Sequence, residues 1–272
     1  QPGIGLARGG LTVDRGDRRG TMYKKILVPL DGSKLAEQVL PYARLLAGAY
    51  GAAVTLLRVS DPDARLPFSV SQSASDYLKY TAASLQPLAV EAVEKIGQPA
   101  EVIVDSAKAD ADCLIVMATH GVTGVRRWFI GSVASKVVQS AANPILLIRP
   151  DESALPAAAI ALKRIIATLD GSGLAEKVLP HVATLARNLK LEVQLVSAYA
   201  LPANAYLVAD GVIDQGPAQF RRSMHEECER YLDGKVAGLR ADGVDPVTAN
   251  MIEGDAANEI ADLAAGSSQS LI

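Results

Sequence analysis

The sequence predicts an α/β protein built as two tandem copies of a doubly wound, open parallel sheet with helices on both faces. Three observations carry that expectation. Residues 26–41 (ILVPLDGSKLAEQVLP) and 165–180 (IIATLDGSGLAEKVLP) agree at 11 of 16 positions at a fixed offset of 139, so one unit is written twice. Short, nearly continuous β-branched and Leu runs alternate with Ala/Leu-rich helical stretches, the pattern of parallel strands covered on both sides. The chain has 272 residues, enough for two domains of ordinary size.

Each element has a local reason. Residues 1–21 hold six glycines and four arginines and no apolar stretch of the kind a secretory signal needs. They read as a disordered extension or tag, with Met22 as the natural start. A buried-type strand follows at Ile26–Leu30, then Asp31-Gly32-Ser33, where Gly32 permits a tight turn and Ser33 caps the helix behind it. A second strand spans Ala53–Ser60. A helix is expected over Asp76–Ile96 and a shorter one over Pro99–Ala109, leading into the apolar strand Cys113–Ala118. The helix Ser132–Ala142 stops at Asn143-Pro144, because proline disfavours the α conformation before it. The strand Ile145–Ile148 then closes a first domain over residues 22–150. Residues 151–162 read as a linker.

The second domain, residues 163–272, repeats the strands at Ile165–Leu169 and Glu192–Tyr199 and places a helix over Pro217–Ala241. Residues 254–272 align on residues 97–115 at an offset of 157, so the second copy holds 18 more residues before that point. Part of the excess is assigned to the strand-like Val247–Ile252, to which this reading gives no counterpart in the first copy. Ile272 aligns with Ile115, inside a strand, so the second copy reads as incomplete at its C-terminal end, with segments absent.

Composition narrows the function classes. The formal net charge is −3 and charged residues make up 21%, which favours no polyanionic partner, so no nucleic-acid role is expected. No apolar run approaches the ~20 residues of a membrane-spanning helix, so no membrane partner is expected either. Cys113 and Cys228 lie far apart without metal-ligand spacing and read as reduced thiols of a cytoplasmic protein.

In an open parallel sheet, ligands bind beyond the carboxyl ends of the strands where strand order reverses. Two loops qualify: Pro29–Ser33, and the segment after Cys113–Ala118. The latter reads Ala118-Thr119-His120-Gly121, nine residues (VTGVRRWFI), then Gly131-Ser132-Val133. Gly121 leaves room for close backbone approach, and Gly131-Ser132 opens a helix whose free N–H groups and dipole suit phosphate.

On these residues the chain resembles the universal stress protein family. Gly-x2-Gly-x9-Gly-Ser/Thr at this place is the signature of that family's ATP-binding branch. The sequence matches its second glycine (Gly121), the nine-residue spacing, Gly131 and Ser132, while Ala118 takes the place of the first glycine. The opening ILVPLDGS, LIVMATHG before the loop, GSVASKV after it and NPILLI in the last strand are further family marks. The resemblance implies an adenine nucleotide alpha hydrolase-like fold with strand order 3-2-1-4-5. It implies that Pro29, Asp31 and Val59 line the adenine and ribose, and that Ala118, Gly121, Gly131, Ser132 and Val133 hold the phosphates of ATP, with Mg2+ accompanying the nucleotide. In the second copy Thr168 replaces Pro29, Asp170 stays, and no glycine loop is written, so one nucleotide site is expected. The strand Ile145–Ile148 commonly mediates dimer contacts in the family, so a homodimer, or pairing between the two copies, is expected, beside a protein partner that reads the bound state.

Plainer readings stand beside these. Asp31 fits turn chemistry alone, since Asp170 repeats it without a phosphate loop. Arg126 and Arg127 fit a solvated loop, and Trp128 fits packing of that loop. His120 sits at a strand tip with no nucleophile or carboxylate placed to complete a catalytic set, so it reads as lining and no enzyme is expected. His225 and Glu229 share a helix face but lack a third ligand for zinc. The leading expectation is therefore an ATP-binding regulatory protein of the stress response. Its rivals are a dimerisation or interaction module of the same fold that binds no nucleotide, and an adenylate-forming enzyme on a related fold.

Overall fold

Ile26, Leu27 and Val28 are consecutive and all 0% exposed, which requires apolar cover on both faces of the strand that carries them. The computed structural model describes residues 22–62, 74–120, 130–150, 160, 162–200, 217–267 and 269–272. In the first copy these form β1 (Lys25–Pro29), α1 (Lys34–Glu37), α2 (Leu40–Tyr50), β2 (Ala53–Ser60), α3 (Ala74–Ser84) and β3 (Val90–Ile96). They continue as α4 (Pro99–Lys108), β4 (Cys113–Ala118), α5 (Ser132–Ser140) and β5 (Ile145–Ile148). The strands form one parallel sheet of order β3-β2-β1-β4-β5.

Period-two alternation sends successive side chains to opposite faces. Ile26 and Val28 pack with Val39, Ala43, Leu46 and Leu78 under α2 and α3. Leu27 packs with Ile103, Ala107, Ile115 and Val137 under α4 and α5. One strand thus feeds two cores, which is why its sequence reads apolar throughout.

The second copy contains β6 (Arg164–Thr168), a 3-10 turn (Ala175–Val178), α6 (Leu179–Leu189), β7 (Glu192–Tyr199), α7 (Pro217–Ala241), β8 (Val247–Glu253), α8 (Ala256–Ala265) and β9 (Ser270–Leu271). Its sheet has the order β8-β7-β6-β9, all parallel.

The structure corrects one part of the expected architecture. The helix predicted over Asp76–Ile96 ends at Ser84, and residues 90–96 form the edge strand β3. Pro87 explains the break, since it lacks a donor and restricts Gln86 before it. Val90, Val93 and Ile96 fall three apart and mimic a helical stripe, yet Val90 packs on the α2 side and Val93 on the α4 side. Glu91, Glu94 and Lys95 are the charges by which an edge strand resists further pairing. β8 is therefore the repeat of β3: Val54 pairs with Val90 as Val193 pairs with Val247. The offset is already 157 there, so the 18 additional residues lie wholly between β7 and β8, where α7 has 25 residues against the 11 of α3.

The two copies meet through α2 and α6. Asn188 Nδ2 donates to the Ala49 carbonyl at 3.1 Å, and the Tyr23 hydroxyl lies 2.5 Å from His181 Nδ1. Leu185 and Leu189 of α6 pack against both the α2-side core of the first copy and the core of the second. The copies do not join through Ile145–Ile148: among the described residues β5 pairs with β4 alone.

Candidate functional site

Strand order reverses between β1 and β4, so Pro29 and Ala118 end at the place where open parallel sheets form their ligand crevice. After β1, Leu30 N–H extends the ladder to the Leu57 carbonyl at 2.8 Å. The chain then turns at Gly32, whose φ of +89° suits glycine. Asp31 Oδ1 accepts from Ser33 N–H at 2.9 Å, and Ser33 Oγ accepts from Ala36 N–H at 3.1 Å, capping α1. The second copy repeats both bonds at Asp170–Ser172 and Ser172–Ala175. Hydrogen bonding to Asp170 from the Ser172 hydroxyl, and then from the Ser172 N–H, holds its carboxyl below the ordinary range. The turn chemistry assigned to this aspartate is thus present in both copies.

After β4, Thr119 N–H donates to the Ile148 carbonyl at 2.8 Å, and Gly131 N–H donates to the Thr119 carbonyl at 2.8 Å. The start of α5 is thereby pinned to the tip of β4. A Cβ on residue 131 would lie 3.0 Å from Thr119 O, so glycine is what permits this approach. The bonds of α5 begin with Ser135 N–H to the Gly131 carbonyl at 2.9 Å, which leaves the N–H groups of Ser132, Val133 and Ala134 at the helix start. One expectation needs correcting here: the Gly131 N–H is engaged, and the amides available to an anion begin one residue later.

Pro29 and Ala118 end their strands, half-buried; Asp31 and Ser132 are exposed, and Gly131 and Val133 half-buried. Val59 stands near the end of β2, paired with Lys95 on β3 and packed on the α4 side of the sheet. Gly121, Arg126, Arg127 and Trp128 lie outside the described residues. Thr119 Oγ1 is 3.0 Å from His120 Nδ1, and His120 Nε2 is buried without a hydrogen-bond partner among the described residues. Among the described residues, no group of three or more His, Cys, Asp and Glu side chains could hold a metal ion, and no helix is long and apolar enough to cross a membrane.

Sequence reasoning missed Arg58. Its guanidinium carbon lies 3.8 Å from the place a Cβ on Gly32 would take, and 5.3 Å from the centre of the Tyr77 ring. It buttresses the turn after β1 from the α3 side. A lone cation interrupting the apolar run Leu56-Leu57-Arg58-Val59 was the available signal. Burial pushes the Tyr77 hydroxyl up to about 12.

The second copy holds a cavity of about 290 Å³ at the matching place, lined among others by Thr168, Asp170 and Ala198. These are the repeat counterparts of Pro29, Asp31 and Val59. Val196, Ala256 and Ile260 supply apolar walls.

Comparison with known proteins agrees with this architecture. Residues 22–149 match the model of the universal stress protein family. A universal stress protein of Methanocaldococcus jannaschii is 34% identical over 141 residues, covering 47% of this chain and 83% of the relative. One from Thermus aquaticus is 31% identical over 140 residues, covering 47% of this chain and 100% of the relative. Across both copies, the crystal structure of a universal stress protein from Archaeoglobus fulgidus superposes with a TM-score of 0.56 at 16% identity, covering 89% of this chain and 83% of that one. The last likeness speaks for the fold alone. With relatives above 30% identity spanned over most or all of their length, the chain belongs to the universal stress protein family.

Proposed function

We propose that the first copy binds ATP, accompanied by Mg2+, in the crevice between the β1 and β4 tips, and that the bound state is read by a protein partner in a stress response. The observation that carries this reading is the glycine-permitted contact of Gly131 with Thr119, which sets the start of α5 against the strand tip at the point of strand reversal. There the amides of Ser132 and Val133, the Ser132 hydroxyl and the positive end of the helix dipole favour a phosphate. Gly121 would extend that cradle and Ala118 would floor it. Pro29, Asp31 and Val59 would border the adenine and ribose, Asp31 keeping one carboxylate oxygen on its own turn. The metal ion would offset the charge of the triphosphate.

In this reading the role is regulatory: among the described residues the His120 ring meets the neighbouring Thr119 hydroxyl, and no carboxylate stands on the ring to orient it as a base. Calorimetry with ATP-Mg, and mass analysis of nucleotide released on denaturation, test binding directly. Gly131→Asp is expected to abolish binding and leave the oligomeric state, proposed as a homodimer, unchanged. A second reading, an interaction module without nucleotide, draws on Asp31 and Asp170 serving the same turn in both copies. Absence of heat and of co-purified nucleotide would favour it.

A further inference from the structure

The contact between the copies contains an imidazole that the nucleotide reading does not use. His181, on α6, stacks on Tyr23 with ring centres 5.8 Å apart and planes inclined by 17°. The Tyr23 hydroxyl lies 2.5 Å from His181 Nδ1. Tyr23 is itself 6% exposed and meets Tyr50 of α2 edge-on at 5.0 Å. The ring is thus clamped between the copies at a place that α2, α6 and the segment before β1 all border.

We propose that this contact makes docking of the second copy on the first acid-sensitive: a proton taken up by His181 loosens the α2–α6 interface. A neutral imidazole serves as acceptor at Nδ1 for the Tyr23 hydroxyl and tolerates the apolar surroundings. An imidazolium must either hold its charge among tyrosine rings and leucines or separate the copies to regain water.

Among the described residues, the neighbouring groups are neutral, of like sign or already paired; Glu176, in the turn before α6, is held by Lys235 at 2.7 Å. Burial pushes the Tyr23 hydroxyl up to about 12 and the Tyr50 hydroxyl higher still, so both are neutral at physiological pH. Lys24, beside Tyr23, pairs with Asp112 at 2.6 Å. Arg44 of α2 donates to the carbonyls of Gln86 and Ser84. Arg187 of α6 donates to the Asp242 carbonyl at 2.7 Å, and Lys177, in the turn before α6, is of the same sign as an imidazolium. Burial lowers the proton affinity of His181. The docked value lies below the undocked one, ordinarily about 6.5. Docking is therefore fully present above ~6.5 and is lost as pH falls through the docked value. Each unit between the two values weakens docking about tenfold once pH is below both.

The test uses the full chain. Protection factors of α2 and α6 amides are measured for wild type and His181→Gln at each pH from 7.5 to 5.0, so that intrinsic exchange cancels in their ratio. The wild-type-to-variant ratio is expected to fall at least threefold over this range; a flat ratio overturns the proposal. Proton NMR titration of the wild-type His181 ring, assigned in the wild-type spectrum by its contacts with the Tyr23 ring, provides a measurement that does not depend on how the variant folds. A midpoint below the ordinary imidazole value supports the proposal, and one at or above it overturns the proposal. Tyr23→Phe is expected to loosen docking at every pH while retaining the slope.

Discussion

Gly131→Ala isolates one contact. At φ −59° and ψ 155° residue 131 occupies backbone space open to any L residue, so alanine brings no torsional penalty. What it brings is a Cβ 3.0 Å from Thr119 O, a few tenths of an ångström inside the ~3.3–3.6 Å at which carbon and carbonyl oxygen ordinarily rest. Relief requires the start of α5 to move off the β4 tip, and the bond that resists this is Gly131 N–H to Thr119 O at 2.8 Å. Stretched by the same few tenths, it reaches the ~3.2 Å limit of a good N–H···O bond. That bond is worth about 0.5–1.5 kcal/mol net, offset in part by the ~0.4–1 kcal/mol that alanine contributes through the unfolded chain, so urea denaturation should show a net change between about zero and 1 kcal/mol of loss. Where ATP relies on the same amides, affinity should fall about tenfold, equivalent to about 1.4 kcal/mol. Gly48→Ala is the control: residue 48 is exposed inside α2 with open space around it, so alanine should add about 0.5–1 kcal/mol. A gain in stability as large as that of Gly48→Ala, together with wild-type ATP affinity, would refute the reasoning about this corner.

Five further substitutions probe the scaffold by denaturant unfolding. Lys190 ends α6 at φ 54°, where its repeat counterpart Gly51 ends α2 at φ 64°; Lys190→Gly should stabilise the second copy by about 0.5–1 kcal/mol. Ser33→Ala removes the acceptor for Ala36 N–H and should cost about 1 kcal/mol, with Ser172→Ala less damaging because the turn it caps buries nothing. Gly234→Ala and Gly238→Ala fill open space on the exposed side of α7 and should together add about 1–2 kcal/mol.

Much of the fold was legible because its central strands are written in runs rich in apolar residues. Ala53–Ser60, Cys113–Ala118 and Glu192–Tyr199 have the bounds the sequence predicts. Residues 90–96 were misread because an edge strand buries little, and VEAVEKI spaces its apolar residues like a helix. The turn at Asp31-Gly32-Ser33 and the start of α5 were legible from local chemistry, glycine and a capping hydroxyl. The tie between Gly131 and Thr119 was not, because it joins residues across a loop and depends on how closely two backbones approach. Arg58 stood out in the sequence as a lone cation in an apolar run, but its place beside Gly32 and Tyr77 depends on how β2 and α3 pack together. The contact of Tyr23 with His181 spans 158 positions and leaves no periodic trace.

Leu185 and Leu189 are counted in two hydrophobic cores at once. Melting either half strips cover from these side chains, so each half raises the cost of unfolding the other. A chain joined in this way should cross its thermal transition as one cooperative body, whereas halves held only by a tether would give two separate steps.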